Sequence, residues 1–146
     1  MPTAAHLFAA VLFAALGWTA SELVKGLMDP DTQFGIFSEL NAALAGFLGW
    51  KIIGPRAKNG LRVGFSAGLT CGVVVFVAAA FLHSFRIMLV RSSEGRYKEP
   101  VEAVMAGFEL MVELARPVAT PEVLGVLIVG GIGAGLVSSA ISRVWS

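Results

Sequence analysis

The hydrophobic positions of this chain fall into long runs separated by short polar breaks. Positions 3–24 are apolar apart from His6, Thr19, Ser21 and Glu22, and about twenty such residues cross a bilayer as a helix. Met28-Asp29-Pro30-Asp31 ends this run, because Pro30 lacks a donor and the two Asp residues favour turn geometry. A second and less hydrophobic run covers 36–54, with Glu39 and Asn41 near its start and Trp50 near its end. Gly54-Pro55-Arg56-Ala57-Lys58-Asn59-Gly60 then reads as a loop, since Gly-Pro and Asn-Gly are both turn signals. Further runs cover 63–90 and 121–144, the last opening with Thr120 as N-cap and Pro121 at the first helical position. Between them, Ser92 to Gly95 reads as a turn, and 100–116 reads as a helix opened by Pro100 and stopped by Pro117. The pattern predicts an all-α fold in one domain: an integral membrane four-helix bundle with an additional amphipathic helix between the third and fourth spans. The first run reads as a retained helix rather than a cleaved signal, because no Lys or Arg precedes it.

Composition agrees with lipid as the main partner. Hydrophobic residues make up 56% of the chain and charged residues 14%, against roughly 25% charged in a soluble domain. Too few charges remain to cover a water-facing surface. The formal net charge is +1, from 11 basic and 10 acidic residues, so no excess directs the chain to nucleic acid. Cys71 is the sole cysteine, which leaves no internal disulfide and no thiolate cluster. His6 and His83 have no second ligand at helical spacing and read as packed or interfacial residues. No metal and no cofactor is expected.

Two spacings stand out. Gly60, Gly64, Gly68 and Gly72 succeed one another at four-residue steps and fall on one side of the third helix, while Gly131, Gly135 and Ser139 do the same in the last. Such rows let helix backbones approach closely in lipid, and they equally suit a homo-oligomer or a membrane protein partner. Glu102, Glu109 and Glu113 share one face of the amphipathic helix, whose other positions are mostly apolar. That stripe either lies in water at the membrane surface or turns inward to line a polar, cation-interacting cavity. Glu22 and Lys25 read as an interfacial pair, and Ser66, Thr70, Ser138 and Ser139 can bond back to their own helices.

No Ser-His-Asp set, no phosphate-binding glycine loop before a strand and no paired catalytic carboxylates occur, so the residues point away from an enzyme. Basic residues do not settle orientation. One side would hold Lys51, Arg56, Lys58, Arg62 and Arg143, and the other Lys25, Arg86, Arg91, Arg96, Lys98 and Arg116. The basic loop of Arg56, Lys58 and Arg62 is short and unopposed by acid, which favours cytoplasmic termini.

Several segments taken in order resemble one family. They are Met1-Pro2-Thr3-Ala4-Ala5, Phe34 with Asn41-Ala42 and Gly46, and Gly49-Trp50 through Gly54-Pro55-Arg56-Ala57 and Gly60. They continue with Arg96-Tyr97, Pro100-Val101-Glu102-Ala103, Phe108-Glu109-Leu110, Glu113, Thr120-Pro121, Gly130-Gly131, Arg143 and Trp145. Together they resemble the TrgA family, small membrane proteins of alphaproteobacteria associated with tellurite resistance. The resemblance spans essentially the whole chain. It implies a multi-pass protein of the bacterial inner membrane with a role in tolerance of tellurium oxyanions, and it implies no mechanism. Thiol reduction of tellurite is not expected of one cysteine in an apolar helix. A carboxylate stripe would repel an anion and suits a proton or cation pathway, or none.

Overall fold

The computed structural model describes residues 4–27 and 37–145, and among these every regular element is a helix. They are α1 (Ala4–Leu27), α2 (Phe37–Ile52), a 3-10 helix (Gly54–Asn59), α3 (Leu61–Ser93), α4 (Pro100–Val118) and α5 (Pro121–Val144). The expected break at Met28 to Asp31, Phe34 and the first residues of the first two runs lie outside the described residues. Three helices are long and apolar enough to cross a membrane: Ala4–Gly26 within α1, α3 and α5, with mean hydropathies of 1.8, 2.2 and 2.1. At 16 residues, α2 is about 24 Å long, short of the roughly 30 Å hydrocarbon core.

Three boundaries differ from the sequence expectation, each for a local reason. The Gly54–Gly60 loop is instead a 3-10 helix with Pro55 in its first turn, where a missing N–H costs nothing. Gly60 is not part of a packing row. It precedes α3 with φ of 101°, and a Cβ built on it would meet nothing within 4 Å. Its role is the left-handed turn that re-aims the chain between two helices. Pro117 does not stop α4, which runs to Val118 and closes with the Ala119 N–H donating to the Ala115 carbonyl at 2.8 Å.

The rest of the glycine row brings α3 against α5. A Cβ on Gly64 would collide with the Ser139 hydroxyl, one on Gly68 with the Gly131 carbonyl, and one on Gly135 with the Gly64 carbonyl. On Gly72 it would stand 2.7 Å from the Leu127 carbonyl oxygen. Rising α3 numbers meet falling α5 numbers, so the pair is antiparallel. α2 runs antiparallel along α1 by the same means: a Cβ on Gly49 would lie 2.7 Å from the Ala9 carbonyl oxygen, and one on Gly17 2.9 Å from that of Asn41. Phe13, fully buried, joins the two pairs, its ring lying beside Gly131. The buried core follows as Ala9, Phe13, Ala45, Cys71, Val123 and Leu127 with their neighbours. α4 packs along the C-terminal half of α3 through a second cluster of Met88, Ala103 and Leu110.

These contacts are backbone to backbone and cannot yield as a flexible side chain would. We expect Gly68→Leu to destabilise the folded protein by at least about 3 kcal/mol, at the upper end of overpacking costs. Gly133→Leu, where a Cβ meets nothing within 4 Å, should be close to neutral. Thermal unfolding of both variants in detergent, followed by circular dichroism, checks the difference.

Candidate functional site

Polar side chains from three helices meet at the end of the bundle where α1 finishes and α2 begins. The Ser21 hydroxyl, in the last turns of α1, donates to the Gly17 carbonyl at 2.7 Å. The Asn41 Nδ2 donates to Ser21 Oγ at 2.9 Å, and His83 Nε2 lies 2.8 Å from Asn41 Oδ1. With the Asn41 amide nitrogen committed to Ser21, its oxygen must accept, so His83 Nε2 carries a proton. The charge of the imidazole then depends on Nδ1 alone. One turn outward, Glu22 accepts from Ser38 at 2.8 Å and from Lys25 at 3.1 Å, the second contact being the expected interfacial pair.

The Ser21–Asn41–His83 chain borders a cavity of about 100 Å³. Its remaining walls are apolar and come from α1, α3, α4 and α5, including Val24, Phe76, Leu114, Val123 and Leu127. A space of this size takes a few water molecules or a small apolar group. The chemistry available is hydrogen bonding and, through His83, the gain or loss of one proton. The three residues do not form a nucleophilic triad: the imidazole reaches the amide of Asn41 and not the Ser21 hydroxyl, so nothing activates that oxygen.

The residues singled out in the sequence lie elsewhere. Glu102, Glu109 and Glu113 are exposed on the outer face of α4 and border no described cavity. Glu102 accepts from the Lys98 backbone N–H at 3.1 Å, as an acid near a helix start does. Within this chain the stripe thus faces outward rather than into a cavity. Arg56, Lys58 and Arg62 are exposed around the 3-10 helix and the start of α3. Cys71 is fully buried. His6 meets the Trp50 ring edge-on at 5.4 Å. Ser139 does not bond back within α5 but donates across to the Gly60 carbonyl at 3.4 Å, and Ser138 Oγ is buried with no partner among the described residues. Among those residues no three His, Cys, Asp or Glu side chains converge as metal ligands.

In the sequence Asn41 stands out only as a polar residue near the start of the second run, and His83 reads as packed or interfacial. Nothing there shows that Ser21, Asn41 and His83 form one chain. Comparison of the chain with known family models, curated proteins and solved structures finds no match.

Asn41 is the centre of the chain, and its removal strands both neighbours. Interhelical hydrogen bonds in membranes average about 0.6 kcal/mol and reach about 1.7. Asn41→Leu should therefore cost roughly 1–2 kcal/mol, and Ser21→Ala, at the end of the chain, distinctly less. Unfolding of both variants in mixed micelles, measured side by side, gives the ranking.

Proposed function

We propose that this chain is a four-span protein of the bacterial inner membrane that supports tolerance of tellurium oxyanions without itself conducting the anion. The resemblance to the TrgA family supports the first part. The observation that carries the second is the lining of the cavity beside the Ser21–Asn41–His83 chain, where no Lys or Arg stands among the side chains. An oxyanion passage needs guanidinium groups or helix N-termini turned toward a cavity. A neutral hydrogen-bonded chain ending on an imidazole suits proton exchange or the binding of a small weakly polar molecule, and so an effect on the state of the membrane.

In this reading α2 is the fourth span, short but held along α1 by Gly17, Gly46 and Gly49. α4 stays at the interface with its glutamates in water. Both termini face the cytoplasm together with Arg56, Lys58 and Arg62, as the positive-inside tendency of short loops favours.

A second reading, a non-catalytic accessory subunit of a larger membrane complex, is favoured by two glycines on α5. A Cβ on Gly125 or Gly133 would meet nothing within 4 Å, so each leaves room for a helix from another chain. Gly133→Leu should then reduce the size of the detergent-solubilised complex on a native gel. Gly68 does not serve this test, since it packs inside the chain.

Tellurite tolerance of cells separates the readings. Deleting the chain should lower the concentration that permits growth, and so should His83→Ala at unchanged protein level. Glu109→Gln with Glu113→Gln should leave tolerance intact. An unaltered tolerance after deletion would sink the proposal, and loss on the glutamate changes alone would move the seat of function to α4.

A further inference from the structure

Arg62, Ser66 and Thr70 succeed one another at four-residue steps and are all exposed, on the side of α3 turned away from its glycine row. With Arg56 of the 3-10 helix and with Val63 and Ala67 between them, they line a groove of about 350 Å³. The groove opens at the end of a membrane-crossing helix, where head groups lie, and descends α3 by about 6 Å per step.

Arg56 Nη1 donates to the Ile52 carbonyl at 2.9 Å, which holds its guanidinium beside the groove with further donors to spare. Among the described residues neither Arg56 nor Arg62 forms an ion pair, the two that occur being Lys25–Glu22 and Arg96–Glu94. The hydroxyls are equally uncommitted. On a lipid-facing helix Ser and Thr ordinarily bond back to the carbonyl of the preceding turn, as Thr19 does to Ala15 at 2.9 Å. Ser66 and Thr70 make no such bond among the described residues. α3 also starts without a side-chain cap, so the positive end of its dipole stands at the level of Arg62.

Two cations at the surface, two hydroxyls deeper and hydrocarbon beyond is the order of groups in a phospholipid: phosphate, ester oxygens, acyl chain. A zwitterionic lipid would bring its own ammonium against the guanidiniums, while an anionic one brings only the phosphodiester. We infer that the groove between the 3-10 helix and α3 binds one anionic phospholipid, its phosphate on Arg56 and Arg62 and its glycerol-ester oxygens on Ser66 and Thr70. This is independent of any role in tellurite tolerance.

The test is native mass spectrometry of the full chain released from nanodiscs of equal phosphatidylglycerol and phosphatidylcholine. The wild type should retain one phosphatidylglycerol in preference to phosphatidylcholine. Arg56→Gln with Arg62→Gln should reduce that preference roughly tenfold or more, given the contribution of each basic residue near an anionic head group. Arg91→Gln with Arg143→Gln removes the same charge elsewhere and should leave it unchanged. Ser66→Val with Thr70→Val should weaken retention and keep the preference for the anionic head group. Circular dichroism and gel filtration show whether each variant is folded. If the first pair is not, Arg56→Lys with Arg62→Lys replaces it and should weaken retention by losing the bidentate contact. Equal retention by the wild type and the folded Arg56 and Arg62 variants overturns the inference, as does an equal loss in the Arg91 and Arg143 variant. Displacement of the lipid by millimolar inorganic phosphate also overturns it, because the groove would then be a site for a free anion.

Discussion

The backbone contact between α3 and α5 is the constraint on which the other contacts depend. In lipid no hydrophobic effect drives helices together, and close approach of small residues supplies the attraction instead. Gly64, Gly68, Gly131 and Gly135 supply it here, each leaving no room for a Cβ. That approach fixes the height of α5 against the start of α3, and two further contacts then fall into place. Ser139 reaches the Gly60 carbonyl, and Ser142 donates to the Ala57 carbonyl at 2.9 Å. Both pin the 3-10 helix to the bundle, which sets Arg56 beside Arg62. α1 seats on the same pair through Phe13 and Leu16, which meet Gly131 and Gly130, and α2 follows α1.

The same row explains where the bundle opens. Its steps along α3 are Gly64, Gly68 and Gly72, and the next is Phe76, which lines the cavity. Once a large side chain replaces a hydrogen atom the backbones must part, and α4 borders the space between them with Leu114 and Ala115. Polar groups that face such a space need partners, because an unsatisfied group away from water is costly. Ser21, Asn41 and His83 satisfy one another across three helices. Cavity and hydrogen-bonded chain are thus two outcomes of one change in side-chain size.

How much of this was legible in the sequence depends on whether the signal was local. The helices, the packing role of Gly64 to Gly72 against Gly131 and Gly135, and the Thr120 cap, whose hydroxyl accepts from the Val123 N–H at 3.3 Å, all rest on spacings within one segment. Gly60 was misplaced because a four-residue step continues past the point where the helix begins, and only the backbone angle tells a turn from a packing face. The cavity was not legible. Residues 21, 41 and 83 share no motif, and their meeting follows from the height at which α1, α2 and α3 are clamped, which no single segment encodes. The groove at Arg62 is an intermediate case: the four-residue step is in the sequence, but the approach of Arg56 comes from the 3-10 helix that the sequence presented as a loop.

The glutamate stripe, the most conspicuous chemical signal in the sequence, is best understood through the length of α3. Its 33 residues extend about 50 Å, well beyond the hydrocarbon thickness of roughly 30 Å, so one end must leave the core. That end carries Arg86 and Arg91 and is covered by α4. α4 therefore has three neighbours to suit. Ala103, Gly107 and Leu110 face α3, Glu102, Glu109 and Glu113 lie on a second sector, and Val101, Met105, Phe108 and Val112 on a third, the acid sector standing roughly 100° from each of the other two. Val101 and Met105 remain 67% and 60% exposed, which would be costly in water and is not so against lipid. A helix with one face on protein, one exposed and apolar and one exposed and acidic suits the membrane boundary proposed for it. The stripe thus marks the exposed face of α4, and the hydrogen-bonded chain of buried Ser21 and Asn41 with part-buried His83 lies elsewhere, announced by no stripe.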